Sequence, residues 1–250
     1  MITKVKDGAA KLMLRGKAQM DEQFPDREEA GRLLAERLVA YKDLPDVIVL
    51  ALPRGGVVVA REIAEFLQAP LDVFLVRKLG VPGFEELAMG AIATGGEPMI
   101  DPQIVEEFRL SDIEIRRVAE VEKKELERRE GVYRHGKPPL DVRNRIVILV
   151  DDGIATGATI RVAIAALRKL TPQRIIVAAG VAPLSTYLIL GAEADEVVCL
   201  LTPREFRAVG QFYSDFPQVT DEKVCKLLDR AGPRRAKQAD ASFGVVTDIT

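Results

Sequence analysis

The sequence predicts an α/β fold with a parallel β-sheet, because the order of strand, loop and helix occurs twice in closely similar form. Residues 146–150 are a β-branched, uncharged run, which is typical of a buried parallel strand. A glycine-threonine loop follows, and residues 160–170 then carry apolar side chains on one helical face. Residues 47–52 and 57–67 repeat this order around a loop that contains two glycines.

Length and composition fit one well-buried domain with appendages. The chain has 250 residues, of which 48% are hydrophobic and 30% are charged. We expect residues 21–230 to form the domain. Residues 1–20 carry five basic residues and one acid without an apolar period, so they are predicted to be an extension. The polar residues 231–250 are predicted to be a mobile tail.

Charge and hydropathy argue against several classes of protein. A formal net charge of −2 gives no excess of basic residues of the kind that binds nucleic acid. No segment approaches the ~18 to 20 apolar residues of a transmembrane helix, and the N-terminus lacks the apolar run of a signal peptide. We therefore expect a cytoplasmic protein with no membrane partner. Cys199 and Cys225 are interpreted as packed thiols, and the single His135 as a loop residue, which disfavours a zinc site or Ser-His-Asp chemistry.

The N-terminal half begins with a predicted amphipathic helix over residues 26–41 and the strand 47–52. Between this strand and the helix 57–67 stands P-R-G-G, formed by Pro53, Arg54, Gly55 and Gly56. The first amides of a helix have no intrahelical acceptor, and Arg54 adds positive charge beside them. This pattern favours an anion site, although an ordinary strand-to-helix turn remains an alternative.

Two cations follow the next predicted strand, residues 71–76. Arg77 and Lys78 would then lie at the carboxyl end of a parallel strand, where ligands of α/β proteins bind. Residues 79–87 are predicted to be a long polar loop, and residues 88–101 a hairpin that turns at Gly95 and Gly96. Ser111 to Glu114 is a capping box that opens a highly charged helix to residue 130. We expect this helix to be a solvated or dimer-facing arm of a homodimer.

The most informative stretch is R-I-V-I-L-V-D-D-G-I-A-T-G-A-T-I, residues 145–160. The two carboxylates of Asp151 and Asp152 stand where the apolar strand stops and the loop begins. Ionised carboxylates accept hydrogen bonds from vicinal hydroxyls or hold Mg²⁺ through water. The loop of Thr156, Gly157, Ala158 and Thr159 ends at a helix N-terminus, whose free amides favour a phosphate. Together these features outline a sugar-phosphate site.

After this stretch the sequence predicts a strand at 174–179, a helix near 186–191 and a strand at 196–201. The chain then becomes aromatic at Phe206, Phe212, Tyr213 and Phe216. A flat ligand ring could stack on Phe206 or Tyr213. A packed lid without ligand contact is equally compatible with the pattern.

V-I-L-V-D-D-G-I-A-T-G-A-T resembles the phosphoribosyl pyrophosphate (PRPP) signature of the type I phosphoribosyltransferases along its whole length. The resemblance implies a five-stranded parallel sheet flanked by helices, with a small hood that binds the acceptor. It implies that Asp151 and Asp152 hold the ribose hydroxyls, with Mg²⁺ as cofactor. The residues that it implies for the 5′-phosphate are Gly153, Ala155, Thr156, Gly157, Ala158 and Thr159.

The resemblance extends to the cationic segments. In the family the loop equivalent to Pro53-Arg54-Gly55-Gly56 binds pyrophosphate, often through a non-proline cis peptide. Arg77 and Lys78 are similar to the Arg-Lys pair with which the orotate and adenine enzymes grip pyrophosphate. The resemblance thus implies catalytic roles for Arg77 and Lys78, while solvated surface charges remain the alternative. Ala155 stands where 6-oxopurine enzymes carry Asp, which disfavours a hypoxanthine-guanine enzyme.

The predicted function is therefore transfer of the 5-phosphoribosyl group of PRPP to an unidentified nitrogenous acceptor, with release of pyrophosphate. A nucleobase is one such acceptor. A PRPP-binding regulatory protein without turnover is the alternative, and a structural domain with a vestigial site is a third hypothesis. The cationic segments favour the enzyme, because a sensor could bind the sugar without holding the leaving group.

Overall fold

The computed structural model describes residues 23–230, so the predicted extension (1–20) and tail (231–250) lie outside the described residues. The strands are β1 (Val47–Ala51), β2 (Leu71–Val73), β3 (Val76–Val81), β4 (Phe84–Ala93), β5 (Met99–Ile100), β6 (Ile146–Asp151), β7 (Arg174–Val181) and β8 (Glu196–Leu201). The α-helices are α1 (Arg27–Arg37), α2 (Gly55–Leu67), α3 (Pro102–Glu107), α4 (Asp112–Arg134), α5 (Ala158–Lys169), α6 (Leu184–Glu193) and α7 (Asp221–Arg230). Short 3₁₀ turns lie at Val39–Tyr41 and Val209–Phe212.

Five parallel strands form the central sheet in the order β2-β1-β6-β7-β8, which confirms the predicted fold. β1 and β6 are neighbours, with Val47 opposite Ile146 and Ala51 opposite Val150. β7 continues the sheet, with Asp151 opposite Ala179. The carboxyl ends of β1, β6 and β7 therefore meet at one edge, where ligands of open α/β sheets bind.

Side chains of the central strands alternate between two apolar layers. Val49 and Ile148 face one layer with α1, α2 and α7, while Leu50 and Leu149 face the other layer with α5 and α6. Both layers bury the sheet, which explains why the strands read as continuous apolar runs. The predicted helices and strands of this core are all present, with ends that differ by a few residues.

The segment after β2 differs from the prediction. The sequence predicts a strand over 71–76 and a polar loop over 79–87, but β2 ends at Val73 and β3 begins at Val76. β3 and β4 form an antiparallel hairpin around Pro82 and Gly83, where Gly83 has φ 81°. The hairpin forms because Leu79, Val81 and Met89 bury their side chains despite the charged residues between them. β5 pairs with β4 and completes a three-stranded hood, so the predicted turn at Gly95-Gly96 is confirmed.

Helix α4 is longer and more buried than the sequence suggested. Its capping box is confirmed, with Glu114 N donating to Ser111 Oγ and Ser111 N donating to Glu114 Oε2. Leu126 and Tyr133 are buried in the core, so the C-terminal part of the helix is anchored on one face, while most of its charged residues are exposed; a dimer contact through this helix stays a prediction. This part of α4 packs between the hood and α7. Within the described residues, none of the helices is both long enough and apolar enough to span a membrane.

Candidate functional site

Two glycine-containing loops lie side by side at the carboxyl edge of the sheet. The first, the PRGG loop, comprises residues 53–56 and follows β1. The second, the threonine loop, comprises residues 153–159 and follows β6. Because β1 and β6 are hydrogen-bonded neighbours, the structure brings together two segments that lie about a hundred residues apart in the sequence. Asp151 and Asp152 stand between the two loops.

The PRGG loop opens helix α2 with uncapped amides. The peptide bond between Pro53 and Arg54 is cis, and α2 begins at Gly55 without a side-chain cap. A Cβ at Gly55 would collide with Oδ2 of Asp152, and one at Gly56 would lie 2.7 Å from the carbonyl oxygen of Val150. Both positions therefore need glycine, because the loop presses against the end of β6.

The threonine loop opens helix α5 in the same way. Gly157 takes a left-handed conformation with φ 79° and, as the N-cap residue of α5, has no side chain to cap the helix; the backbone N of Ala158 makes only a long hydrogen bond of 3.4 Å to Thr156 Oγ1. Thr186 of α6 donates through Oγ1 to the carbonyl oxygen of Ala155 at 2.9 Å and fixes the loop from behind. Ala155, Thr156, Ala158 and Thr159 are exposed. Amide donors at the positive end of a helix dipole thus face solvent, where they could bind an anion.

The two aspartates have different surroundings. Asp151 accepts a hydrogen bond from the backbone amide of Asp152 at 2.9 Å. The carboxylate of Asp152 turns inward and accepts from Nε of Arg27 at 2.7 Å. Of the predicted pair, only Asp151 is left without a guanidinium partner.

Arg27 is a site residue that the sequence analysis missed. Its side chain is only 8% exposed, donates through Nη1 to the carbonyl oxygen of Pro217 and lies 3.6 Å from the centre of the Phe216 ring. Arg27 is 125 residues from Asp152, and it begins an otherwise ordinary helix. No local pattern in the sequence could have identified it.

The environment of Asp151 disfavours its charge. Burial and, second, the negative charge of Asp152 raise the pKa of the Asp151 carboxyl well above its usual range. Arg27 opposes this change only partly, because its guanidinium is bonded to Asp152. An ionised Asp151 therefore calls for a cation or hydrogen-bond donors from a ligand.

The aromatic residues after β8 pack behind the acidic pair. Tyr213 is 4% exposed, and its hydroxyl donates to the backbone carbonyl of Asp152 at 2.5 Å. The Tyr213 ring stacks on Phe216, and Phe206 stacks on Phe212. The structure thus places Tyr213 as a support of the Asp152 backbone, in agreement with the packed-lid alternative. Phe206 is half-buried in the same cluster.

A cavity of about 410 Å³ adjoins the PRGG loop. Pro53, Arg54, Arg77 and Thr159 line it, so part of each predicted phosphate-binding segment faces one space. Lys78 does not line this cavity. Neighbouring residues of β3 point to opposite faces, so Lys78 points away from Arg77, and its Nζ donates to the backbone carbonyl of Glu86 at 2.9 Å. The prediction that Arg77 and Lys78 lie at the carboxyl end of a parallel strand is wrong, because both belong to the antiparallel hood strand β3; their catalytic roles stay a prediction.

Four further residues on the cavity wall were missed by the sequence analysis. They are Arg128, Arg129 and Tyr133 of α4 and Asp221 of α7. The Tyr133 hydroxyl donates to Oδ1 of Asp221 at 2.6 Å, and Nη1 of Arg54 lies 3.8 Å from the same oxygen. Burial and, second, the hydrogen bond to Asp221 raise the pKa of Tyr133 to about 12. Two adjacent arginines ahead of a tyrosine are a signal in the sequence for an anion site, but the same pattern is typical of a solvated helix.

This chain is similar in sequence and in fold to known proteins. Two proteins from Mycobacterium tuberculosis strains CDC 1551 and H37Rv, each named as a candidate phosphoribosyl transferase, are 44% identical over 208 residues. These residues are 83% of this chain but 47% of each relative, so the match spans about half the length of those proteins. The crystal structure of TT1426 from Thermus thermophilus is 43% identical, with a TM-score of 0.73, and the match covers 84% of this chain and 99% of that one.

The sequence also matches the family model described as phosphoribosyl transferase domain over residues 22–216, which include both loops, the acidic pair and the hood. This chain belongs to the phosphoribosyl transferase domain family.

Proposed function

We propose that this protein transfers the 5-phosphoribosyl group of PRPP to a nitrogenous acceptor, with release of pyrophosphate. The observation that carries the proposal is the placement of two helix N-termini beside each other at the end of β6, where the acidic pair stands, with N-cap residues that make no side-chain cap bond. PRPP carries a phosphate at C5, two hydroxyls on the ribose and a pyrophosphate at C1. Two anion sites, with carboxylates between them that accept hydrogen bonds from hydroxyls, match that order of groups.

The threonine loop would bind the 5′-phosphate through the amides that open α5 and the hydroxyls of Thr156 and Thr159. The PRGG loop would bind the pyrophosphate through the amides of Gly55 and Gly56 and the guanidinium of Arg54. Asp151 would accept hydrogen bonds from the ribose hydroxyls. Asp152 would act mainly through its bond to Arg27, which distinguishes the roles of the two acids.

The residues present fit a magnesium ion that arrives with the substrate. Among residues 23–230, no cluster of three or more acidic, histidine or cysteine side chains could form a protein cage for a metal. Mg²⁺ commonly keeps several waters and binds through one or two carboxylates plus substrate phosphates. Asp151 is the group that would hold it, since its partly buried carboxylate has no guanidinium partner among the described residues. When bound, the ion would neutralise charge on the phosphate oxygens.

The proposed reaction exchanges one bond at C1 of the ribose for another. The bond from C1 to the pyrophosphate oxygen breaks, a bond from C1 to the acceptor nitrogen forms, and the acceptor nitrogen loses its proton. The protein would position both partners and neutralise the charge that grows on the departing oxygen. Arg54 and Arg77 line the cavity where this charge develops, so they are the residues to which we assign that role.

A screen for release of pyrophosphate from PRPP tests the proposal. The full chain would be incubated with magnesium, PRPP and a panel of nucleobases and other nitrogenous acceptors, with Asp151→Asn as the inactive control. We expect release that depends on both an acceptor and Asp151. Binding of PRPP without release for any acceptor would instead support the regulatory alternative. Absence of both binding and release would refute the PRPP site itself.

A further inference from the structure

Two arginines from the C-terminal part of α4 lie on the wall of the cavity, and the proposed function gives these arginines no role. Arg128 and Arg129 line it together with Arg54 and Arg77. Among the lining residues within 23–230, Asp221 is the single carboxylate. Two glutamates outside the lining pair with these arginines, Glu122 with Arg77 and Glu125 with both Arg128 and Arg129. Four guanidinium groups against these two carboxylates and Asp221 still leave the wall positive, and a concave surface concentrates the field of such charges.

The present partners of these two arginines compete only weakly with a ligand. Both donate to Glu125, one turn earlier in α4, with Nε to oxygen distances of 2.7 Å for Arg128 and 2.8 Å for Arg129. The side chains of Arg128 and Arg129 are 59% and 42% exposed. Exposed ion pairs along one helix contribute little in water, so these guanidinium groups are available to a more highly charged anion.

The backbone that carries the two arginines is held firmly. Leu126 and Tyr133, which flank them on α4, are both 4% exposed in the core. Tyr133 is also tied to α7 through its hydrogen bond to Asp221. The arginine stems therefore begin from a fixed helix in the cavity wall, which reduces the cost of ordering them around a ligand.

We propose that Arg128 and Arg129 bind the pyrophosphate group, both in PRPP and as the product that leaves. This assignment rests on the proposed function, because it places the pyrophosphate in the cavity shared with Arg54. A diphosphate has several oxygen acceptors on two adjacent phosphorus centres, and the planar fork of arginine matches such oxygens in pairs. The PRGG loop would bind one side of the diphosphate, and the last turns of α4 the other.

Titration with inorganic pyrophosphate and magnesium tests the assignment without the sugar. Isothermal titration calorimetry would compare the full-length wild type with Arg128→Ala and Arg129→Ala. Each alanine variant should weaken binding by roughly tenfold or more, the scale of a lost charge-assisted hydrogen bond. Lysine at either position keeps the charge but loses the fork, so its effect should be intermediate.

Arg116→Ala is the matched control, because Arg116 lies on the exposed N-terminal part of α4, outside the cavity lining. It should leave pyrophosphate affinity within about twofold of wild type, as is usual for an isolated surface substitution. Equal affinity in wild type, Arg128→Ala and Arg129→Ala would overturn the assignment, as would no binding by wild type at millimolar pyrophosphate.

The two proposals can fail separately. PRPP binding that is insensitive to Arg128 and Arg129 would remove this assignment and leave the phosphoribosyl transfer intact. Pyrophosphate binding that needs both arginines, in a protein that does not bind PRPP, would refute the phosphoribosyl transfer and leave the two arginines as a site for free pyrophosphate alone.

Discussion

Arg27 and Asp152 form a buried ion pair that joins the first helix to the strand end at the centre of the site. The Nε of Arg27 lies 2.7 Å from Oδ2 of Asp152, and the two side chains are 8% and 13% exposed. Gly55 packs against this carboxylate and Tyr213 donates to the backbone carbonyl of the same aspartate. Asp152 is thus part of the framework that supports the site, while the carboxylate of Asp151 remains available to a ligand.

Removal of the guanidinium should destabilise the protein strongly. Arg27→Met leaves Asp152 with a buried charge and no partner, for which the expected loss in the free energy of unfolding is about 3 to 5 kcal/mol. Urea unfolding measures it. Arg32→Met on the same helix is the control, because Arg32 is 54% exposed and its replacement should change stability far less. A loss at Arg27 as small as that at Arg32 would contradict the framework role.

Asp151 should make stability depend on pH with a defined sign. Its pKa is raised in the folded protein, so its contribution is full below the ordinary aspartate pKa and is lost as the pH rises through the raised value. Asn does not titrate. Over that interval the wild type should lose stability relative to Asp151→Asn, by up to about 1.4 kcal/mol for each pH unit.

Glu114 is a control in the same unfolding series, because its pKa is changed in the opposite direction to that of Asp151. Hydrogen bonds from the backbone and side chain of Ser111 lower the pKa of Glu114. The wild type should therefore gain stability relative to Glu114→Gln as the pH rises from the lowered pKa to the ordinary one. If the Asp151 difference stayed flat across acidic and neutral pH, the raised pKa would be wrong.

Gly55→Ala should disturb both the site and the ion pair that supports it. The new methyl group would collide with Oδ2 of Asp152 and lie 3.1 Å from Nε of Arg27, so the ion pair must move. We expect loss of stabilisation by PRPP, measured by thermal unfolding with and without ligand. Gly131→Ala in α4 is the matched control, because no neighbouring atom lies within 4 Å of its added Cβ. It should keep the PRPP response and gain up to about 1 kcal/mol from helix propensity.

Arg77 and Lys78 should differ in their effect on turnover. Arg77 pairs with Glu122 and lines the cavity beside the PRGG loop, whereas Lys78 pairs with Glu86 across the hairpin and lies outside that cavity; we therefore assign contact with the departing pyrophosphate to Arg77. Arg77→Ala should lower the rate of pyrophosphate release by on the order of 10²-fold, the scale for removal of one preorganised electrostatic group. Lys78→Ala should have the smaller effect. An equal or larger loss at Lys78 in steady-state assays would overturn this ordering.

Much of the fold could be predicted from local patterns. The buried strands read as apolar runs, and the glycines of the two loops marked the points where strands give way to helices. The hood hairpin was missed because Arg77, Lys78 and Glu85 interrupt its apolar residues, although Leu79 and Val81 are buried on one face. A short strand with charges on its open face has the composition of a loop.

The site was predictable only where its residues are contiguous. The loops and Asp151 belong to short motifs, whereas Arg27, Arg128, Arg129 and Asp221 reach the site through packing of distant helices. The inward turn of Asp152 depends on Arg27 and could not be read from the pair of aspartates. Tyr213 was expected as a possible stacking ring, but the fold places its hydroxyl beneath the Asp152 backbone.

Binding of PRPP in the presence of magnesium tests the central claim most directly. Isothermal titration and thermal unfolding would compare wild type with Asp151→Asn. Wild type should bind, and at a ligand concentration 100-fold above the dissociation constant its stability should rise by about 2.7 kcal/mol. Asp151→Asn should fold and show no such gain. An unchanged melting temperature of the wild type at millimolar PRPP, or an undiminished affinity in Asp151→Asn, would contradict the account.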